Sequence, residues 1–187
     1  MATTSRKFWI AIACAGLAAC GTTGERSATR TGDLEVTRFH LGGAVAPGEV
    51  VIQPRFTGGL RPVSEFGSDS AVVARELARL GFTPGSRPAS EYLADIDVAA
   101  GSLLELQARA PGLAEAPATP GAAPRLATQA QLAVELKRRS DGSIVWRGRA
   151  RMPHPSGQPV TPAQVGRLAA ALFRDFPGQS GETIRVR

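Results

Sequence analysis

The sequence is poor in the side chains that most often carry chemistry: in 187 residues it has two cysteines, Cys14 and Cys20, two histidines, His40 and His154, and one tyrosine. So few thiols and imidazoles leave little material for a buried transition-metal site. Both cysteines fall in the first twenty residues, so the rest of the chain has no disulfide framework. Lysine is scarce too: of 22 basic residues only Lys7 and Lys137 are lysines. An arginine-skewed excess beside abundant Ala, Gly and Pro reads as much as compositional bias as attraction for polyanions. The formal +6 falls to +4 once Arg6 and Lys7 are set aside with the leader described below, leaving twenty basic against sixteen acidic residues. That is a weak electrostatic footprint, and no nucleic-acid partner is expected. A Gly-x-Ser-x-Gly elbow, a phosphate-binding glycine loop and calcium-loop spacing are all missing. The expectation is a non-enzyme without metal or cofactor, in which His40 and the proline-flanked His154 are structural or solvated.

What is present is an ordinary globular composition, 43% hydrophobic and 20% charged, at a length that suits one domain. The amino terminus is an address. Met1 to Lys7 is polar and carries Arg6 and Lys7; an apolar run then extends from Phe8 to Ala19 and ends at Cys20. Twelve residues are too few for a bilayer span of ~20, so the segment reads as a secretory signal peptide. Within it, Leu17-Ala18-Ala19-Cys20 resembles the lipobox of bacterial lipoproteins. That resemblance implies diacylation of the Cys20 thiol, cleavage between Ala19 and Cys20, and acylation of the new amine, palmitate being a usual chain. Small side chains at Ala18 and Ala19 suit a peptidase cleft, and only a thiol makes the thioether. The plainer alternative is a simple signal peptide with Cys20 an ordinary residue. With the lipobox, Cys14 leaves with the signal and Cys20 becomes the anchor, so no thiol is left to be miswired in an oxidising compartment. Gly21, rather than Asp, after the anchor points by analogy to the outer membrane.

Residues 1–19 are thus expected to be a signal peptide, 20–33, rich in Gly, Thr, Ser and Arg, a flexible tether, and 34–187 one domain. Leu34–Leu41 and Glu49–Phe56 read as strands, the second ending early or lying at an edge because of Pro54. Ser68–Leu80 has helical spacing, with Val73, Leu77 and Leu80 on one face and an N-cap among residues 68–70. Gly81 and Phe82 are placed for a Schellman stop. Tyr92–Ala100 alternates, Ala94, Ile96 and Val98 against a solvated Asp95 and Asp97. Residues 110–125, with four prolines among Ala and Gly, read as a mobile loop inside the domain.

The segments on either side of Ser140-Asp141-Gly142 alternate so that Leu132 and Leu136 belong on the same face as Trp146 and Ala150. Parity predicts a three-residue loop with Gly142 left-handed, pairing Leu136 with Trp146, Leu132 with Ala150 and Glu135 with Arg147. A last helix has Thr161 and Gln164 as a capping box, Pro162 at N1, and a stripe of Val165, Leu168, Ala169, Leu172 and Phe176 up to Pro177. A final strand covers 183–187, with Ile184 and Val186 inward. The order β-β-α-β-β-β-α-β predicts an α+β fold, a mostly antiparallel sheet with two helices packed on one face.

These residues carry a family resemblance. The lipobox, the strand Val36-Thr37-Arg38-Phe39-His40-Leu41-Gly42, the helix end Glu76-Leu77-Ala78-Arg79-Leu80-Gly81-Phe82, the hairpin from Arg138 to Trp146 and the ending Ala171-Leu172-Phe173-Arg174-Asp175-Phe176-Pro177-Gly178 resemble bacterial lipoproteins of the domain of unknown function 4136 family, in its alphaproteobacterial, sphingomonad-like branch. The resemblance implies an envelope location and an α+β domain and supplies no catalytic residues. One surface stands out. Arg147, Arg149 and Arg151 recur at every second residue of one strand, a row of about 13 Å at ~3.3 Å per residue, with Arg138 and Arg139 nearby. Such a row is a candidate surface for a protein partner or for polyanionic lipid or glycan; a solvated sheet face offset by Glu135 and Gln131 is the plainer alternative. The function expected is a lipoprotein anchored at the periplasmic face of the outer membrane that docks an envelope protein in assembly or maintenance. The alternative is a polyanion-binding module using the arginine face.

Overall fold

The computed structural model describes residues 34–41, 43–55, 63–86, 88–109 and 127–186. The expected signal peptide, tether and loop 110–125 lie outside the described residues, as do Ala19 and Cys20.

The fold is α+β: a seven-stranded mixed sheet with three helices. Its strands are β1 (Leu34–His40), β2 (Glu49–Pro54), the two-residue β3 (Thr83–Pro84), β4 (Tyr92–Ser102), β5 (Thr128–Arg138), β6 (Ile144–Pro153) and β7 (Thr183–Val186), in spatial order β3-β2-β4-β5-β6-β1-β7. The helices are α1 (Val63–Arg79), α2 (Leu103–Arg109) and α3 (Pro162–Phe173). β3 and α2 are absent from the predicted order: one is a two-residue pairing, the other a single short helix between two long strands. β2 pairs in parallel with β3 and β4, and the other pairings are antiparallel. The parallel join follows from α1, which separates β2 from β4, since parallel neighbours need a crossover segment that a hairpin cannot supply.

The α1 start lies five residues before the predicted one, so Ser68 to Ser70 are interior positions and not caps; the Ser70 hydroxyl donates to the Gly67 carbonyl. Its stop is as the spacing predicts. Phe82 N donates to Leu77 O at 3.1 Å and Gly81 N to Ala78 O at 3.0 Å, with Gly81 at φ +90°. That is the Schellman pairing, and it turns Phe82 into the core. At α3 the capping box forms: Gln164 N donates to the Thr161 hydroxyl and Thr161 N to Gln164 Oε1. The Gln164 amide also donates to His154 Nδ1 at 3.1 Å, while His154 Nε2 lies 3.0 Å from Gln158 O. His154 is therefore buried and ties the cap to the preceding loop. The helix ends at Phe173, earlier than the predicted stripe, and Phe176 packs from the turn beyond it.

The β5–β6 pairs are those predicted, Leu136 with Trp146, Leu132 with Ala150 and Glu135 with Arg147, but the loop is not. Arg138 N donates to Ser143 O and Gly142 N to Arg138 O, which closes a four-residue loop with Gly142 at φ +70°. One extra residue is then absorbed by an irregularity beside Leu136 and Lys137, where Lys137 faces Ile144. Loop length and bulge each shift parity by one, and the buried faces fix only their sum.

Helices α1 and α3 pack on each other and share one sheet face, where Val73, Leu77, Val165, Leu168 and Leu172 meet the alternating apolar residues of β4, β5 and β6. Trp146 is central, stacked on Phe173 with ring centroids 5.5 Å apart and donating its indole N–H to Pro177 O at 3.0 Å. Of the last strand, Val186 is buried as expected, but Ile184, expected inward, is exposed in this short edge strand. Arg38 also lies on this side and is buried. Its guanidinium donates to the carbonyls of Leu172, Ala171 and Arg174 at 2.8–2.9 Å, a cationic clasp on the carbonyl end of α3. Burial lowers its pKa, against the raising pull of Asp175.

Candidate functional site

The opposite face of the sheet is polar, and strand parity brings the predicted arginines onto it. Across the strands run three rows: Asp95, Glu135, Arg147 and Phe39; Asp97, Ala133, Arg149, Thr37 and Thr183; Ala99, Gln131, Arg151, Glu35 and Arg185. Arg147, Arg149 and Arg151 therefore stand together as predicted. Arg138 does not join them: it sits at the hairpin, exposed, paired with Asp141 at 3.3 Å.

This face is not the solvated surface that alternation suggests. Asp95, Asp97, Gln131, Glu135, Arg149 and Arg151 are all buried. Glu135 is the hub, with Arg147 Nε at 2.7 Å, Lys137 Nζ at 3.2 Å and Arg55 Nη1 at 3.5 Å. Lys137 also reaches Asp95 at 2.7 Å, whose other oxygen accepts from the Gln53 amide at 2.6 Å. Arg151 reaches Glu35 at 3.5 Å, and Arg109 reaches Asp97 at 3.5 Å. The hydrogen bond to Asp95 is the largest influence holding the Lys137 pKa above its usual value, with burial opposing it. A raised ammonium pKa stabilises the fold below the ordinary lysine range, and that contribution is lost as pH climbs through the raised value.

Helix α2 contributes to the difference at β4 and β5. It packs against β4 and β5, and its Arg109 reaches the polar-face Asp97, so helices lie on both sides of the sheet and not on one. Leu106 is buried, as are Ala99 and Ala133, yet all three stand outside the main core cluster. The small residues in the centre of the polar face leave room for a helix to come down on it. The helix starts with a capping box that the sequence reading missed, Ser102-x-x-Glu105: Ser102 N donates to Glu105 Oε2 at 2.7 Å, and Glu105 N to the Ser102 hydroxyl at 3.4 Å. The Ser102 backbone donor, helped by its hydroxyl, lowers the Glu105 pKa. A depressed carboxylate pKa stabilises above the unfolded value and loses that contribution as pH falls through the folded one. Amide exchange of α2 is accordingly expected to speed up, beyond the intrinsic pH trend, as pH drops below the usual carboxylate range. In Glu105→Gln that pH dependence should vanish; an unchanged profile would mean the cap does not hold the helix.

Sequence marked Gln131 only as a polar offset to the arginines on a solvated face. It is fully buried, and neither its Oε1 nor its Nε2 has a hydrogen-bond partner among the described residues; Gln129 Oε1 is in the same state. Leaving such groups unpaired costs about 1–3 kcal/mol each. Among the described residues no group of three or more His, Cys, Asp or Glu is placed to hold a metal ion.

No protein-family model matches the chain. An uncharacterized protein of Zymomonas mobilis is 40% identical over 58 residues, 30% of this chain and 22% of that protein, so the matched segment spans about a fifth of the relative's length. Among solved structures, a PDZ domain protein from Parabacteroides distasonis superposes with a TM-score of 0.55 at 10% identity, covering 86% of this chain and 40% of that one. That likeness shows a shared fold. A PelC dodecamer from Paraburkholderia phytofirmans gives a TM-score of 0.44 at 15% identity over 75% of this chain and 94% of that one.

Proposed function

We propose that the chain is a non-enzymatic lipoprotein of the bacterial envelope, related to the domain of unknown function 4136 proteins. Acyl chains on Cys20 hold it at the periplasmic face of the outer membrane, and its domain docks a protein partner in envelope assembly or maintenance. The observation that carries this reading is the sequence Leu17-Ala18-Ala19-Cys20 closing a twelve-residue apolar run behind Arg6 and Lys7. A run that short is a leader and not a span, and several acyl chains hold a protein to a bilayer far more firmly than one.

The ion pairs on the polar face weigh against the polyanion-binding alternative. Arg147 already has Glu135 and Arg151 already has Glu35, so a lipid or glycan phosphate would have to displace a resident carboxylate.

Cys20→Ser tests the anchor. The wild-type chain is expected to float with outer-membrane vesicles on a density gradient and to take up labelled palmitate, and the variant to appear in the soluble periplasmic fraction without label. A variant that stays with membranes and keeps its label, or a wild type that bands with the inner membrane, contradicts the reading.

A further inference from the structure

We propose that His154 and Gln164 form an acid-sensitive latch on the start of α3: the neutral imidazole holds the Thr161–Gln164 capping box closed, and a second proton on the ring releases it. The inference goes beyond the docking reading and stands whether or not Cys20 is acylated.

The donor and acceptor roles around the ring are fixed by its partners. Gln158 O, 3.0 Å from Nε2, can only accept, so Nε2 carries a hydrogen. Gln164 is fixed as well. Its Oε1 accepts from Thr161 N at 2.9 Å, so its amide nitrogen is the atom 3.1 Å from His154 Nδ1. That nitrogen has only hydrogens to offer, and Nδ1 must accept. Nδ1 is therefore the one place where the ring can take a second proton, and a proton there meets the Gln164 N–H. Turning the carboxamide over moves the clash without removing it, because the amide nitrogen then faces Thr161 N–H. The carboxamide has one oxygen, and it cannot face both Thr161 N and a doubly protonated ring.

Nothing beside the ring compensates an imidazolium. His154 is only 7% exposed. The ring sits at the N-terminal end of α3, where the helix dipole disfavours a cation. The first turn of α3 has no acidic residue, and residues 155–160 carry no charge. On the surrounding elements, Arg151 of β6 and Glu35 of β1 pair with each other on the opposite sheet face, and Arg167 of α3 is exposed. Asp69 of α1 is buried with partners of its own. Among the described residues no charged group contacts the ring. An unfolded chain takes the proton freely, whereas the folded one must give up the cap, so acid draws the start of α3 open. The segment released is held at both ends: His154 N donates to Thr128 O on β5, and Val160, next to the cap, packs on the core.

The test follows the full mature chain in detergent by NMR from about pH 7.5 to about pH 5, across the range where histidines titrate. At the upper end the ring nitrogens of His154 are expected to show the Nε2–H tautomer. On acidification the protection of the Thr161 and Gln164 amides, taken relative to their intrinsic exchange rates, should fall about fivefold, the equivalent of one lost cap. Amides of β5 and β6 around Leu132 and Ala150 should keep theirs. His154→Gln offers an N–H and a C=O in place of the two ring nitrogens and does not titrate, so its profile should be flat. Gln164→Glu keeps the cap acceptor and presents Nδ1 with a carboxylate that welcomes a proton, so the fall should be absent there too. An Nδ1–H tautomer at the upper end, a flat wild-type profile, a fall in His154→Gln equal to that of the wild type, or the same fall in Gln164→Glu each overturns the inference.

Discussion

Truncating Trp146 to alanine is expected to destabilise the domain by about 3–5 kcal/mol, the range for a large aromatic removed from a well-packed core. The indole is fully buried, stacked at 19° on Phe173 and in contact with Phe176 at a 5.1 Å centroid distance. Gly148 makes room for it, since a Cβ there would run into both the indole and Leu172. The loss has three parts: buried area, aromatic pairing, and a Pro177 carbonyl left without the indole donor. Phe at 146 recovers most of the area but not that hydrogen bond, so Trp146→Phe should cost much less than Trp146→Ala. Urea unfolding of the two variants checks this, and equal costs would mean that packing around Trp146 is looser than the ring geometry indicates.

Removing the charge at Glu135 is the second large effect. Glu135→Gln keeps the shape but leaves Arg147, Lys137 and Arg55 converging on a neutral amide. Breaking a buried pair from one side costs about 3–5 kcal/mol. The lower end, about 3 kcal/mol, is expected here because the side chains of Lys137 and Arg55, 33% and 21% exposed, keep access to water. Arg147→Met on its own should also destabilise, and the double variant should cost less than the sum of the two, because each single change strands the other's charge. Strict additivity in that cycle would remove Glu135 from the centre of the network.

Much of this was legible in sequence, for identifiable reasons. The Gly81-Phe82 stop, the Thr161–Gln164 cap and the β5–β6 pairing rest on local chemistry or on period-two parity, and neither depends on the distant fold. The four-residue loop was misread because parity constrains loop length and bulge together and separates neither. Phe176 has helical spacing from Leu172, and spacing says nothing of where the backbone leaves the helix. On the polar face the row of Arg147, Arg149 and Arg151 followed from alternation alone. The burial of Arg149 and Arg151 did not, because alternation marks that face as wet and says nothing of what is packed over it. Ala99 and Ala133 were the available signal: small residues at polar-face positions of two central strands leave a depression that something can fill. Ser102 and Glu105 were a second one, a capping box hidden behind a strand that runs two residues longer than its alternation suggests. Arg38 had no such signal. It reads as an ordinary strand arginine until α3 brings three carbonyls to it.

The anchor at Cys20 is tested most directly by the intact mass of the chain extracted from membranes. The expected mass is that of residues 20–187 carrying three acyl chains, two on the Cys20 thiol-linked glycerol and one on its amine, with residues 1–19 removed. A chain that still carries Phe8–Ala19, or one that begins at Cys20 with an unmodified thiol and amine, would contradict it.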